Sequence, residues 1–470
     1  MRVDVSKRPQ PEKVTADDMQ RIRSDLRLLT NQTKALGKHI RSAFGSRNST
    51  EPYLREKLQL VSHQVDDIFT YEVHQFDSSA SKASSSLPVV YCTDIEALKD
   101  RIVTHRHPQG GVEVDSVIGL DGGGGFLKIC VTFRLPHDPS SESTTVVRSK
   151  LSDGVAERNL KDTSVRKLFV IAIVPDAKET YRNVLLLWNL LKLTSPQTLH
   201  PFTCCMDLKL ANTTIGLMAH ACSHPCTWCN SSKENLDSRG ELRTLGSVRR
   251  QYWSFVDSEK DTKNAKHFGN CIHSPIFKGP DTTEVIDIIP PPELHLMLGA
   301  VNLLFVNFQK KWPDVLRWAS SLNVEREAIH GGAFAGNACR KLLKNVDLLQ
   351  ELAPIELRDY VRAFRALNDV VLSCFGKTLQ NDYKEKIDVF NHCFQALGLQ
   401  VTPKIHAILF HVIDFCDRKE TGLGMWSEQA FESVHADFTH VWQKYKVPTT
   451  HERFADRFLR SVQEYNGNHF

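Results

Sequence analysis

Ser116-Val-Ile-Gly-Leu-Asp121, Gly122-Gly-Gly-Gly125 and Phe126-Leu-Lys-Ile-Cys-Val-Thr-Phe133 follow one another without a break. A short apolar run, a glycine turn and an alternating run predict a β-hairpin with Asp121 at its turn. A glycine-rich turn after a strand also invites a phosphate-loop reading. That loop needs a following helix whose amides face the phosphate, and a strand pattern follows here instead. Further on, Lys167-Leu-Phe-Val-Ile-Ala-Ile-Val174 is a continuous β-rich apolar run closed by Pro175-Asp176, with a helical period from Glu179 to Leu193. It predicts a central strand with Asp176 at its carboxyl end. Side chains just beyond strand ends are aimed into a crevice by a rigid sheet, so Asp121 and Asp176 are expected to be neighbours. Each also has an ordinary reading, Asp121 as a turn aspartate and Asp176 as a helix N-cap.

Outward from the sheet, residues 1–76 alternate charged with apolar positions at helical spacing, as in Met19, Ile22, Leu26 and Leu29. They predict an N-terminal helical domain for DNA binding or dimerisation. The serine-rich stretch 77–88 reads as a linker. Residues 89–195 form the first part of an α/β domain, and 196–415 a mostly helical insertion. Residues 416–470 form a C-terminal helical part that completes the α/β domain.

Cys226-Thr-Trp-Cys229 and His406-x4-His411 carry the ligand types and short spacings of one tetrahedral zinc site. Two cysteines supply half of such a site and the histidines the rest. Histidines five apart do not share a face of a straight α-helix, so a distortion or a helix end is expected between them. His220, Cys222 and His224 lie close enough in sequence to replace one of the four.

The 470 residues suit several domains. Apolar residues at 41% and charged residues at 24% are ordinary for globular chains and separate no enzyme from a binding protein. A net charge of +4 permits nucleic-acid contact without demanding it, because a phosphate-tracking groove needs clustered cations. Such clusters occur at 239–250, 260–266 and 444–460, interleaved with Tyr252, Trp253, Trp442, Tyr445 and Phe454. The mixture suits backbone contact with base stacking, and equally a solvated face. Twelve cysteines without a secretory signal pattern point to a reducing compartment, and no apolar run is long enough for a bilayer.

Beyond the histidines, Trp426-Ser-Glu-Gln-Ala-Phe-Glu-Ser433 places Glu428 and Glu432 on a helical pattern, with His435 three residues after Glu432. In order, Asp121-Gly-Gly, Val170-Ile-Ala-Ile-Val-Pro-Asp176, Cys226-x-x-Cys229, Pro292-Glu-Leu-His295, Gly331 to Leu342 with Arg340, His406-x4-His411 and this glutamate segment resemble the catalytic core of the recombination-activating recombinase and the Transib-type DDE transposases. The likeness covers about residues 100–465 and is one of motif order.

It implies an RNase H-like catalytic sheet interrupted by a large zinc-bearing helical insertion, and a two-metal enzyme that cuts and joins DNA. By this likeness Asp121, Asp176 and Glu432, with Glu428 as the alternative third carboxylate, hold two Mg²⁺ or Mn²⁺ ions. One structural Zn²⁺ sits on Cys226, Cys229, His406 and His411. His295, Arg340, Glu428 and His435 support the site or touch DNA. Double-stranded DNA ends, a homodimeric partner, an accessory protein and a nuclear location complete the expectation. The interval between the first two aspartates is short for the family, and no counterpart of its terminal-repeat-binding domain precedes residue 100. A catalytically retired descendant and an unrelated zinc-stabilised interaction module are the competing readings.

Overall fold

The computed structural model describes Met19, Ile22, residues 30–44 and residues 65–470, apart from 80–82, 108–110, 136–143, 152–153, 162–166, 196–200, 219–221 and 328–331. It is a mixed α/β structure. Among the described residues eight strands run in chain order: β1 Phe69–Asp77, β2 Ser84–Cys92, β3 Asp115–Gly123, β4 Phe126–Arg134, β5 Thr144–Leu151, β6 Gly154–Lys161, β7 Phe169–Pro175 and β8 Phe202–Cys205. β5 and β6 form a separate two-stranded ribbon, and the others a six-stranded mixed sheet in the order β1-β2-β7-β4-β3-β8.

β7 is an unbroken apolar run buried along its whole length, as a strand covered on both faces requires, and β4 is buried as fully although it carries Lys128, Thr132 and Arg134. β3 and β4 form the expected hairpin, but Asp121, expected at its turn, lies inside the ladder opposite Lys128, and the turn is Gly124-Gly125. Both turn glycines have positive φ, which side chains adopt at a cost.

β8 joins β3 in parallel, from Ser116 opposite Phe202 to Gly119 opposite Cys205. It lies within the stretch read as insertion, so the sheet extends past residue 195. The stretch 77–88, expected as a linker, contributes to a regular antiparallel pairing instead. Asp77 faces Ser84 and Gln75 faces Ser86, and β2 continues onto β7. Ser84 and Ser86 are exposed and hydrogen-bonded to Asp77 and Gln75 across this hairpin, a pairing that composition alone cannot distinguish from coil. Of the section 1–76 expected to be helical, α1 Thr30–Phe44 is a helix, but residues 69–76 belong instead to strand β1 of the sheet. Met19 and Ile22 are described one by one, and Leu26 and Leu29 lie outside the described residues.

The helices that position the site are α2 Tyr181–Leu190, α3 Leu208–Ile215, α4 Leu245–Asp257, α5 Glu293–Lys311, α6 Gly336–Lys344, α7 Gln429–Trp442 and α8 Phe454–Gly467. α7 packs on β3, and α8 lies against β1, β2 and β7. The last two helices therefore lie on the sheet. Gly119 is what lets α7 come so near: a Cβ at that position would overlap the Phe431 ring. No helix among the described residues is long and apolar enough to cross a membrane.

Candidate functional site

One cleft of about 430 Å³ gathers five carboxylates, from Asp121, Glu179, Asp207, Glu428 and Glu432, together with His295, His435 and the glycines of β3. Topology explains the gathering. β3 and β8 are parallel, and continuing their register by two residues brings Asp207 level with Asp121. Asp207 is also the N-cap of α3, where its Oδ1 accepts the Leu210 N–H at 2.7 Å. α7 projects Glu428 and Glu432 from the side, since residues four apart share a helix face.

Asp176 is elsewhere. It is an exposed residue at φ 54°, whose N–H donates to Gly125 O at 2.8 Å and whose carbonyl accepts from Ser79 N–H at 2.7 Å. β7 pairs with β4 two strands from β8, so its carboxyl end meets the hairpin turn and not the β3–β8 crevice. The N-cap of α2 is Thr180, so the helix-cap reading of Asp176 is also corrected. Asp207 occupies the place expected of Asp176. Sequence reading passed over it because β8 is only four residues long, although an aspartate directly before Leu208-Lys-Leu-Ala is a helix-start signal.

The cleft's carboxylates are unevenly paired. Asp121 Oδ2 touches His435 Nε2 and lies 3.6 Å from Lys128 Nζ. Burial acts to raise the Asp121 pKa, but His435 and Lys128 outweigh it and leave the group below the usual carboxylate range. Burial lowers the Lys128 pKa. Glu428 is 2% exposed, and its Oε1 accepts the His295 N–H at 2.9 Å and lies 3.0 Å from His295 Nδ1. Its Oε2 is buried with no hydrogen-bond partner among the described residues.

Glu432 is the more open of the two glutamates and stands 3.5 Å from His295 Nε2. Burial, then the charges of Glu428, Asp121 and Asp207, push its pKa up to about 7 against the opposing pull of His295. Glu179 was not singled out from the sequence. Burial raises its pKa, Lys209 binds it, and Asp207 and Asp121 repel it. A buried oxygen without a partner and a glutamate that resists ionisation mark an excess of negative charge. Divalent cations with oxygen ligands neutralise such an excess, so the residues present fit Mg²⁺ or Mn²⁺.

The other expected supporting residue is Arg340 on α6, which binds Glu293 at the start of α5. Glu293 is 2% exposed and also accepts from Ser427 Oγ at 2.9 Å. This chain of contacts ties α5 and α6 to the residue before Glu428. Beside the cleft, a second hollow of about 610 Å³ shares Glu432 and is bordered by Asn323, Glu325, Glu327, Asn337 and Lys341.

Cys226, Cys229, His406 and His411 are buried, and one ligand atom from each lies within 4.8 Å of all the others. Cys226 Sγ is 3.2 Å from His411 Nε2, Cys229 Sγ 3.2 Å from His406 Nε2, and the two Nε2 atoms are 3.1 Å apart. Tetrahedral bonds of 2.0–2.3 Å give ligand separations of roughly 3.3–3.8 Å, so a modest expansion would admit the ion. This group could hold a zinc ion. The expected distortion is a π-helical turn over Ala407–His411, which brings residues five apart onto one face. His406 Nδ1 is 2.8 Å from Leu236 O and His411 Nδ1 3.0 Å from Asp414 Oδ2, leaving both Nε2 atoms for a metal. His224 pairs with Asn230 O, and neither it nor Cys222 belongs to the group.

The aromatic residues among the basic stretches divide. Trp442 and Phe454 are core residues in edge contact with each other, and Tyr445 binds Glu464. Trp253 on α4 is 58% exposed, and exposed too are Lys260 in the turn that follows α4 and Lys263 and Lys266 on the adjoining 3₁₀ helix Thr262–Phe268. The chain matches no known protein-family model and no curated protein.

Proposed function

We propose that this chain is a transposon-derived DNA transposase or recombinase of the DDE type, with an RNase H-like catalytic sheet, that cleaves phosphodiester bonds and transfers strands at DNA ends. The observation that carries the reading is the convergence of Asp121, Asp207 and Glu432, from two parallel strand ends and a late helix, on one cleft. Asp207 takes the role first expected of Asp176. Glu432 is preferred to Glu428 because it is open to the cleft, whereas Glu428 is buried against His295.

In this reading Asp121, Asp207 and Glu432 hold the divalent cations, which when bound supply charge stabilisation to the attacking and leaving oxygens of a phosphodiester. His295 fixes the two glutamates by bridging them. The Arg340–Glu293–Ser427 contacts hold the start of α7, and so the direction of Glu432, against the insertion. The Cys226, Cys229, His406 and His411 cluster clamps residues near 229 to residues near 411, a structural role for zinc. Trp253 with Lys260, Lys263 and Lys266 offers stacking and positive contacts to DNA. We propose a homodimer, because joining two DNA ends calls for two active sites, and a nuclear location where such DNA lies.

A second reading, a catalytically retired DNA-binding descendant, is favoured by one observation. A buried ammonium group, that of Lys128, already stands beside Asp121. The test is cleavage and strand transfer with Mg²⁺ or Mn²⁺ on DNA bearing the sequences that flank the coding region. Activity lost in Asp207→Asn and Glu432→Gln supports the enzyme. DNA binding without cleavage in the wild type supports the retired form.

A further inference from the structure

Lys128 is 1% exposed and lies directly across the β3–β4 ladder from Asp121. Among the described residues its only carboxylate partner is Asp121, at 3.6 Å. Lys128 Nζ lies against the His435 ring, close to Nδ1 and 3.2 Å from Nε2. The Nε2 side of the same ring faces Asp121 Oδ2.

His435 follows Glu432 by three residues, so α7 delivers a carboxylate and an imidazole to the same cleft. The glycine run makes room for the ring. A Cβ at Gly123 would collide with His435 Nε2, and one at Gly124 would lie 3.3 Å from Nδ1. Two of the four glycines after Asp121 therefore seat this histidine. The arrangement is built, since the lysine has no route to solvent and the backbone is shaped around the ring.

We propose that Lys128 and His435 form an internal counter-ion to Asp121, which occupies its Oδ2 face in the metal-free protein and must be displaced or repelled when a divalent cation enters. The inference rests on the functional reading above. A lysine ammonium about 4 Å from a carboxylate supplies one of the charges that the cation would supply, and it repels the cation itself. The cleft therefore trades cation affinity for stability without the ion, and the two residues set the concentration at which it fills.

Mn²⁺ binding to the full-length, zinc-loaded chain, measured from the spectrum of free Mn²⁺ by electron paramagnetic resonance, tests this without any turnover. Wild type, Lys128→Met, His435→Gln, Asp121→Asn and Asp207→Asn are compared. The expected result is weak binding by wild type, abolished in the two aspartate variants, and tightened about tenfold in both Lys128→Met and His435→Gln. His435→Gln keeps the partly exposed site polar and remains informative if Lys128→Met does not fold. Unchanged or weaker binding in His435→Gln and in Lys128→Met overturns the counter-ion role alone. Mn²⁺ binding that ignores Asp121→Asn and Asp207→Asn, or is absent from every variant, overturns the carboxylate cleft as a cation site and the counter-ion role with it.

Discussion

The Phe431 ring lies against Gly119 where a β-carbon would otherwise be, and this contact sets how closely α7 approaches β3. Glu432 is the next residue after Phe431, so the same contact sets how far Glu432 reaches toward Asp121. A Gly119→Ala variant should lose roughly 1–3 kcal/mol of stability from overpacking. It should lose cleavage activity in larger proportion, because the carboxylates would be pushed apart. Urea unfolding alongside the cleavage assay separates the two effects.

Asp207 and Asp176 give opposite expectations. Asparagine caps helices as well as aspartate, so Asp207→Asn should change stability by less than about 0.5 kcal/mol while abolishing activity and Mn²⁺ binding. Asp176→Asn should leave all three unchanged, since its carboxylate is exposed and away from the cleft. Thermal unfolding with a cleavage assay on both variants checks this.

Zinc content should be about one ion per chain by elemental analysis, and close to zero in Cys229→Ala or His406→Ala. Because the four ligands are buried and come from distant segments, chelation should lower the melting temperature by about 10 °C or more. A chelator-treated chain that melts like the untreated one would remove the structural role.

Arg340→Ala leaves the buried Glu293 without its cation. The cost should be about 1–3 kcal/mol, less than for a wholly buried pair because the Arg340 side chain is 34% exposed. Restoring balance with Glu293→Gln in the same chain should recover part of the loss, which a double-mutant cycle in urea would read out.

Trp253→Ala removes a 58% exposed ring and should leave stability within about 0.5 kcal/mol of wild type. If the ring stacks on a base, affinity for DNA with unpaired ends should fall about fivefold or more. Equal affinity in a fluorescence-anisotropy titration would assign Trp253 to solvent alone.

The sequence by itself determined what local chemistry can determine. Thiol and imidazole pairs at short spacing identify the Cys226, Cys229, His406 and His411 cluster, because few other arrangements use those ligand types together. The five-residue histidine spacing even demanded the helical distortion, and the alternating runs around Asp121 identified the β3–β4 hairpin. Only the tertiary structure decided which aspartate faces Asp121. A long apolar strand ending at Asp176 is a stronger local signal than the four residues of β8. Proximity, however, follows from strand order and direction, and these depend on pairings between distant segments. The same holds for the serine-rich stretch that became a hairpin edge, and for Lys128. An ordinary lysine in an alternating run is a buried counter-charge only because the antiparallel register sets it opposite Asp121 and α7 covers it with His435.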